Sequence, residues 1–168
     1  GCDVVKFQKR NPDVCVPEHQ KSVMRDTPWG RMSYLDYKYK VEFEKEEYDE
    51  IDSYCKNKKI AWTASPWDLD SLNFLNQYDV PFIKIPSALL TDLELIKESA
   101  KTGKKVIIST GMSTIDEVDN AVDAIKKSNS NATYAVLHCN STYPAPNDEL
   151  NLKCIQTLKE RYQCEVGY

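Results

Sequence analysis

The sequence predicts an α/β fold in which parallel β-strands alternate with α-helices. Three observations carry the prediction. Short, β-branched apolar runs recur at Val4–Phe7, Lys59–Trp62, Pro81–Ile85, Lys105–Ile108, Thr133–His138 and Cys164–Gly167. From the second onward they stand roughly 23 to 30 residues apart, which suits βα units of a parallel sheet. Each run is almost wholly apolar, the signature of strands buried on both faces.

Helical periodicity fills the gaps. The segment Glu44–Lys56 sets Tyr48, Ile51 and Cys55 on one face, and the next sets Leu69, Leu72 and Leu75. Leu93, Ile96 and Ala100 repeat the pattern before Gly103, a helix-terminating residue that has no Cβ to strain. Thr114 and Glu117 form a capping-box pair ahead of the apolar stripe Ile115, Val118, Val122 and Ile125. The last helix is expected from about Asn151 to Tyr162, with Leu152, Ile155 and Leu158 inward. The stretch Lys9–Phe43, with its prolines and dense Tyr, Lys and Arg, reads as a long connection with little regular structure. Insertions of that kind cover active sites or are mobile.

Composition narrows the function. With 41% apolar and 29% charged residues the 168-residue chain is an ordinary globular one, read as a single domain over 1–168. A net charge of −4 argues against a nucleic-acid binder, because phosphate backbones attract an excess of Lys and Arg. Apolar runs such as Val106–Ile108 are too short to span a membrane, and Gly1–Asp3 lacks the basic start of a signal peptide. The first residue is not Met, so the start of the protein is expected upstream. None of the six cysteines forms a C-x-x-C pair, which removes zinc spacing and reads as free thiols in a reducing cytosol.

In a parallel α/β barrel the chemistry sits at the carboxyl ends of the strands. The residues there are Lys6 and Gln8, then Thr63–Asp68, then Lys84, Pro86 and Ser87, then Ser109–Met112, and finally His138–Pro144. Two lysines and many hydroxyls at one mouth suit a phosphate and a carboxylate. Lys6 stands between Val5 and Phe7, and Lys84 between Ile83 and Ile85; an unpaired buried ammonium is costly, which points both toward an anion. Taken singly, Ser65, Ser87 and Thr110 read as helix N-caps. His138 reads as a structural hydrogen-bonding group, His19 as solvated, Asp68 as a helix cap, and the acidic run Glu42–Asp52 as a solvated face. Paired glycosidase-type carboxylates, a P-loop, G-x-S-x-G and GxGxxG are all missing.

Five segments together resemble the bacterial N-acetylneuraminate (sialic acid) synthase family. They are Val5-Lys6-Phe7-Gln8, Ala64-Ser65-Pro66-Trp67-Asp68, Phe82-Ile83-Lys84-Ile85-Pro86-Ser87, Ser109-Thr110-Gly111-Met112 and His138-Cys139-Asn140-Ser141-Thr142-Tyr143-Pro144. The resemblance implies the central part of a (β/α)8 TIM barrel. The first and last strands and a C-terminal antifreeze-like domain would then be absent. It implies a cytoplasmic transferase that condenses phosphoenolpyruvate with N-acetylmannosamine or a related N-acyl amino sugar, releasing phosphate. Carried over by motif, Lys6, Ser65, Lys84, Ser87, Ser109 and Ser141 would hold phosphoenolpyruvate, with Lys84 and Lys6 catalytic, and Tyr143 would approach the sugar. A divalent metal, Mn2+ or Mg2+, is implied, with ligands outside this chain just after Tyr168. A homodimer is implied at full length, with the fragment alone inactive.

One departure stands out. Ala88-Leu89 follows Ser87 where many family members have Gly-Glu, which puts the amino-sugar substrate or the proton pathway in doubt. Three alternatives remain beside the synthase. They are a class I aldolase with Lys84 as Schiff-base lysine, another phosphoenolpyruvate-using aldose synthase, and a catalytically inactive barrel serving as a binding protein.

Overall fold

The computed structural model describes all of residues 1–168, which pack as two compact units, Gly1–Asp79 and Val80–Tyr168. Its longer elements are parallel strands alternating with helices, the expected α/β class.

The first unit begins with β1 (Val4–Lys9), followed by the short helices α1 (Pro12–Cys15) and α2 (Glu18–Lys21). A hairpin of β2 (Met24–Thr27) and β3 (Gly30–Ser33) leads into α3 (Tyr34–Val41) and α4 (Lys45–Lys58). Then come β4 (Ala61–Pro66), which lies parallel to β1, and α5 (Leu69–Leu75). The stretch expected to be irregular is therefore largely regular. Two of its three prolines open helices instead of breaking them, and the third, Pro28, lies in the hairpin turn. Pro12 occupies the first turn of α1 behind the Asn11 cap, and Pro17 precedes α2. Gly30, at φ +98°, closes the hairpin where Thr27 Oγ1 donates to its carbonyl at 2.6 Å. The Ser33 hydroxyl then caps α3.

A second boundary also moves. Lys59, expected to start a strand, adopts φ +54° as the left-handed cap of α4, so β4 begins at Ala61. The core of this unit is aromatic. Tyr48 is fully buried, its ring 5.2 Å from Phe74 and 5.6 Å from Trp62, and its hydroxyl donates to the Gln8 carbonyl at 2.8 Å.

The second unit carries β5 (Phe82–Ile85), a 3-10 turn (Ser87–Leu89), α6 (Leu93–Lys101), β6 (Lys105–Ser109) and α7 (Ile115–Ser128). It continues with β7 (Tyr134–Leu137), a second 3-10 turn (Asn147–Glu149), α8 (Cys154–Tyr162) and β8 (Glu165–Gly167). The four strands pair in the order β5-β6-β7-β8, all parallel. Ile83, Ile85, Val106, Ile108 and Val136 are buried, as are Leu95, Ile96, Val118, Val122 and Ile125 of the helices. The capping box is present, with Glu117 Oε2 accepting from the Thr114 amide at 2.7 Å. Gly103 follows α6 at φ +76°. The last helix starts later than expected: Asn151 is left-handed at φ +46°, and Leu152, expected inward, is 52% exposed. No helix is long and apolar enough to cross a membrane.

Candidate functional site

The second unit gathers its polar groups at the carboxyl ends of β5, β6 and β7. Strand alternation sends Ile83 and Ile85 to the buried face and Lys84 to the other. The register pairs Lys84 with Ile107, so Ser109, two residues on, projects from the same face. Lys84 Nζ donates to Ser109 Oγ at 2.5 Å and to the Ile85 carbonyl at 3.0 Å. Cys139 Sγ donates to the same Ser109 Oγ at 3.3 Å. The Gly111 amide donates to Ser87 Oγ at 3.0 Å. A Cβ at Gly111 would stand 2.7 Å from Ser141 Oγ and 2.8 Å from Ser87 Oγ. Only a glycine lets the two hydroxyls approach this closely. One ammonium paired with a serine hydroxyl, and two more serine hydroxyls at Gly111, thus stand at the ends of these strands, group types suited to a phosphate or carboxylate oxygen.

The capping alternatives for these residues do not hold. The Ser87 hydroxyl accepts from Gly111 across the chain instead of capping its own turn. Thr110 Oγ1 donates to the Leu137 carbonyl at 3.1 Å, tying the end of β6 to β7, while Thr114 caps α7. Ser65 lies inside β4. His138 is structural, as read: its Nε2 lies 2.8 Å from the Leu150 carbonyl. Tyr143, expected at a sugar, is 89% exposed on the loop after β7. Ala88 is exposed in the 3-10 turn.

In the first unit the register pairs Lys6 with Thr63 and Gln8 with Ser65, placing these four on one face of the β1–β4 pair. Ser65 is 1% exposed, and its hydroxyl has no hydrogen-bond partner. A buried unpaired hydroxyl costs about 1–3 kcal/mol, so this one is poised for a ligand that would pair it.

Lys6 departs from the expectation of a buried ammonium. β1 is not buried on both faces, and Lys6 and Gln8 lie exposed. The Lys6 pKa is lowered, first by partial desolvation and then by the Arg10 charge. A pocket of 450 Å³ lies here, lined by Lys6, Gln8, Arg10, Tyr37 and Lys38 among others. Three of these are cations.

The buried lysine of this unit is Lys9, which sequence reasoning missed. Its ammonium donates to the Phe43 carbonyl at 2.7 Å and lies 3.7 Å from Glu42 and 3.5 Å from Glu44. Glu42, expected on a solvated face, has a side chain only 1% exposed and accepts from the Arg10 amide at 2.9 Å. Burial raises its pKa, against the opposing pull of Arg10 and Lys9. These contacts fasten the end of α3 to β1 and are structural. No local pattern announces them, because the partners are more than thirty residues apart.

No group of three or more His, Cys, Asp or Glu side chains is placed to hold a metal ion.

The model of the NeuB family matches residues 1–168. N,N'-diacetyllegionaminic acid synthase of Campylobacter jejuni is 34% identical over 171 residues, covering 100% of this chain and 51% of that protein. N-acetylneuraminate-9-phosphate synthase of Drosophila melanogaster is also 34% identical, covering 100% of this chain and 45% of that one. Among solved structures, N-acetylneuraminic acid synthetase from Leptospira borgpetersenii, in complex with citrate, superposes with a TM-score of 0.85 at 30% identity. That match covers 99% of this chain and 53% of the other. The chain spans about half the length of the curated relatives it matches.

Proposed function

The chain belongs to the NeuB family, and from that premise we propose that residues 1–168 supply the phosphoenolpyruvate side of a nonulosonic acid synthase. The full-length protein condenses phosphoenolpyruvate with N-acetylmannosamine or a related N-acyl amino sugar. The enol carbon of phosphoenolpyruvate attacks the aldehyde of the open-chain sugar and forms the new C–C bond. Water adds at C2, and phosphate leaves by C–O cleavage.

The observation that carries the reading is the pairing of Lys84 with Ser109 at the end of β5 and β6, with Ser87 and Ser141 both drawn close to Gly111 just beyond β6. Lys84 offers positive charge to the phosphate or carboxylate, and the serines offer directional hydroxyls. Groups fixed by the fold need no reorganisation as charge develops at C2, which is where preorganised donors contribute most. Lys6 and Ser65 belong to the same proposal as further phosphoenolpyruvate contacts, and Tyr143 as a sugar contact. The divalent metal implied for the family, Mn2+ or Mg2+, would take its ligands from outside 1–168 in this proposal, and the roles assigned here are those of the chain's own side chains. A cytoplasmic homodimer of the full-length protein completes the proposal.

The relatives differ in their sugar products, so the test spans several sugars. Full-length protein is mixed with phosphoenolpyruvate and a panel of N-acyl amino sugars, free and 6-phosphorylated, with Mn2+ or Mg2+ supplied. Sugar-dependent release of inorganic phosphate is expected with at least one member. Failure to release phosphate with every sugar would sink the proposal. A borohydride-trapped pyruvate adduct on Lys84 would replace it with Schiff-base chemistry.

A further inference from the structure

We propose that Cys139 is a positioning residue of this site: its thiol holds the Ser109 hydroxyl in the one orientation that donates to a bound anion. The inference rests on reading Lys84, Ser87, Ser109 and Ser141 as a phosphoenolpyruvate site. Ser109 Oγ accepts two hydrogen bonds, from Lys84 Nζ at 2.5 Å and from Cys139 Sγ at 3.3 Å. A serine hydroxyl has two acceptor lone pairs and one O–H. With both lone pairs engaged, the hydrogen points away from both donors. Neither the ammonium nor the donating thiol offers it an acceptor.

Ser109 is 4% exposed, so bulk water does not randomise the hydroxyl. The O–H is therefore aligned before a ligand arrives, and an anionic oxygen is the partner it lacks. Lys84 alone engages one lone pair and leaves the hydroxyl a second orientation. The thiol removes that freedom. The placement of Cys139 does not depend on this contact alone. On either side of it, His138 Nε2 lies 2.8 Å from the Leu150 carbonyl and the Asn140 side-chain amide donates to the Glu149 carbonyl at 3.3 Å, so replacing the thiol leaves the loop anchored.

The test is steady-state kinetics on the full-length enzyme carrying Cys139→Ala, Cys139→Ser, Ser109→Ala and the Cys139→Ala/Ser109→Ala pair. Cys139→Ala is expected to raise the KM for phosphoenolpyruvate about fivefold, the loss of one modest hydrogen bond's ordering, with kcat within about twofold and an unchanged melting temperature. Cys139→Ser keeps a donor at the same place and is expected to restore the parent KM. In the Ser109→Ala background, Cys139→Ala is expected to add nothing, because its effect passes through that hydroxyl. Should the alanine variant not fold, Cys139→Val fills the thiol's volume without a donor and gives the same comparison. An active parent whose alanine variant keeps its KM, or additive losses in the double variant, would overturn the role of Cys139 alone. A parent enzyme that neither binds nor turns over phosphoenolpyruvate would overturn the functional reading, and this inference with it.

Discussion

Ser65 and Gly111 press the functional reading from opposite sides. The Ser65 hydroxyl is buried without a partner, so it penalises the ligand-free fold. Ser65→Ala is expected to stabilise the ligand-free protein by about 1 kcal/mol while raising the KM for phosphoenolpyruvate. Urea midpoints and kinetics on the same preparations check this; a stability loss on substitution would mean that the hydroxyl is already satisfied. At Gly111 a methyl group would arrive 2.7 and 2.8 Å from two serine hydroxyls, so one of them must move. Gly111→Ala is therefore expected to cut kcat/KM about a hundredfold, the usual cost of displacing positioned groups by an ångström, with the fold intact by circular dichroism. The place of Lys84 in a strand with two buried isoleucines was legible, because a short apolar run reads as a buried strand. The same argument misjudged Lys6, whose strand is open on one face, and overlooked Lys9. The polar neighbours of Lys9 hid a burial created by Phe43 and Glu42, which return from far along the chain.

Between elements, the clearest electrostatic tie joins α7 to α8. Arg161 Nε donates to Asp119 Oδ1 at 2.7 Å, its second nitrogen grips the other oxygen, and the Tyr162 hydroxyl donates to Oδ1 at 2.9 Å. The Arg161 and Tyr162 hydrogen bonds hold the Asp119 pKa down at about 2. An acid with a depressed folded pKa stabilises the fold above its unfolded value, about 3.9, and loses that contribution as pH falls through the folded one. Asp119→Asn is therefore expected to lower the melting temperature at pH 7, and the gap to the parent should close between about pH 4 and about pH 2. A gap independent of pH would assign the effect to packing. The α7 cap is a separate test: Thr114→Ala removes the hydroxyl that caps the helix and is expected to cost about 1 kcal/mol in chemical denaturation. Helix identity was legible wherever an apolar stripe ran for several turns. The hairpin and short helices between Lys9 and Phe43 were not, since they are held by single capping and turn contacts spread over four-residue segments. Such contacts leave no periodicity.

Across the whole chain, the βα order was legible because each strand must bury apolar residues and each helix must cover them. The division of strands into a parallel pair and a parallel group of four was not, because the sequence patterns of neighbouring and non-neighbouring parallel strands are alike. That division has a solution consequence. β1 pairs only with β4, and β8 only with β7, so each presents an edge of unpaired backbone groups. Beside β1 runs an open apolar groove of 620 Å³, with Val5, Phe7, Phe43, Ile51, Tyr54 and Ile60 among its lining residues. A two-stranded sheet is marginal alone, and an apolar surface next to an unpaired edge favours self-association. Residues 1–168 produced by themselves are therefore expected to associate with rising concentration, to bind a hydrophobic dye, and to release no phosphate from phosphoenolpyruvate. Light scattering across a concentration series checks the first point. Replacing Ile51 with Lys places a charge on the groove wall and should reduce both association and dye binding. A monodisperse monomer that ignores the dye would show that edge and groove are satisfied within these residues, and the argument from unpaired strands would fail.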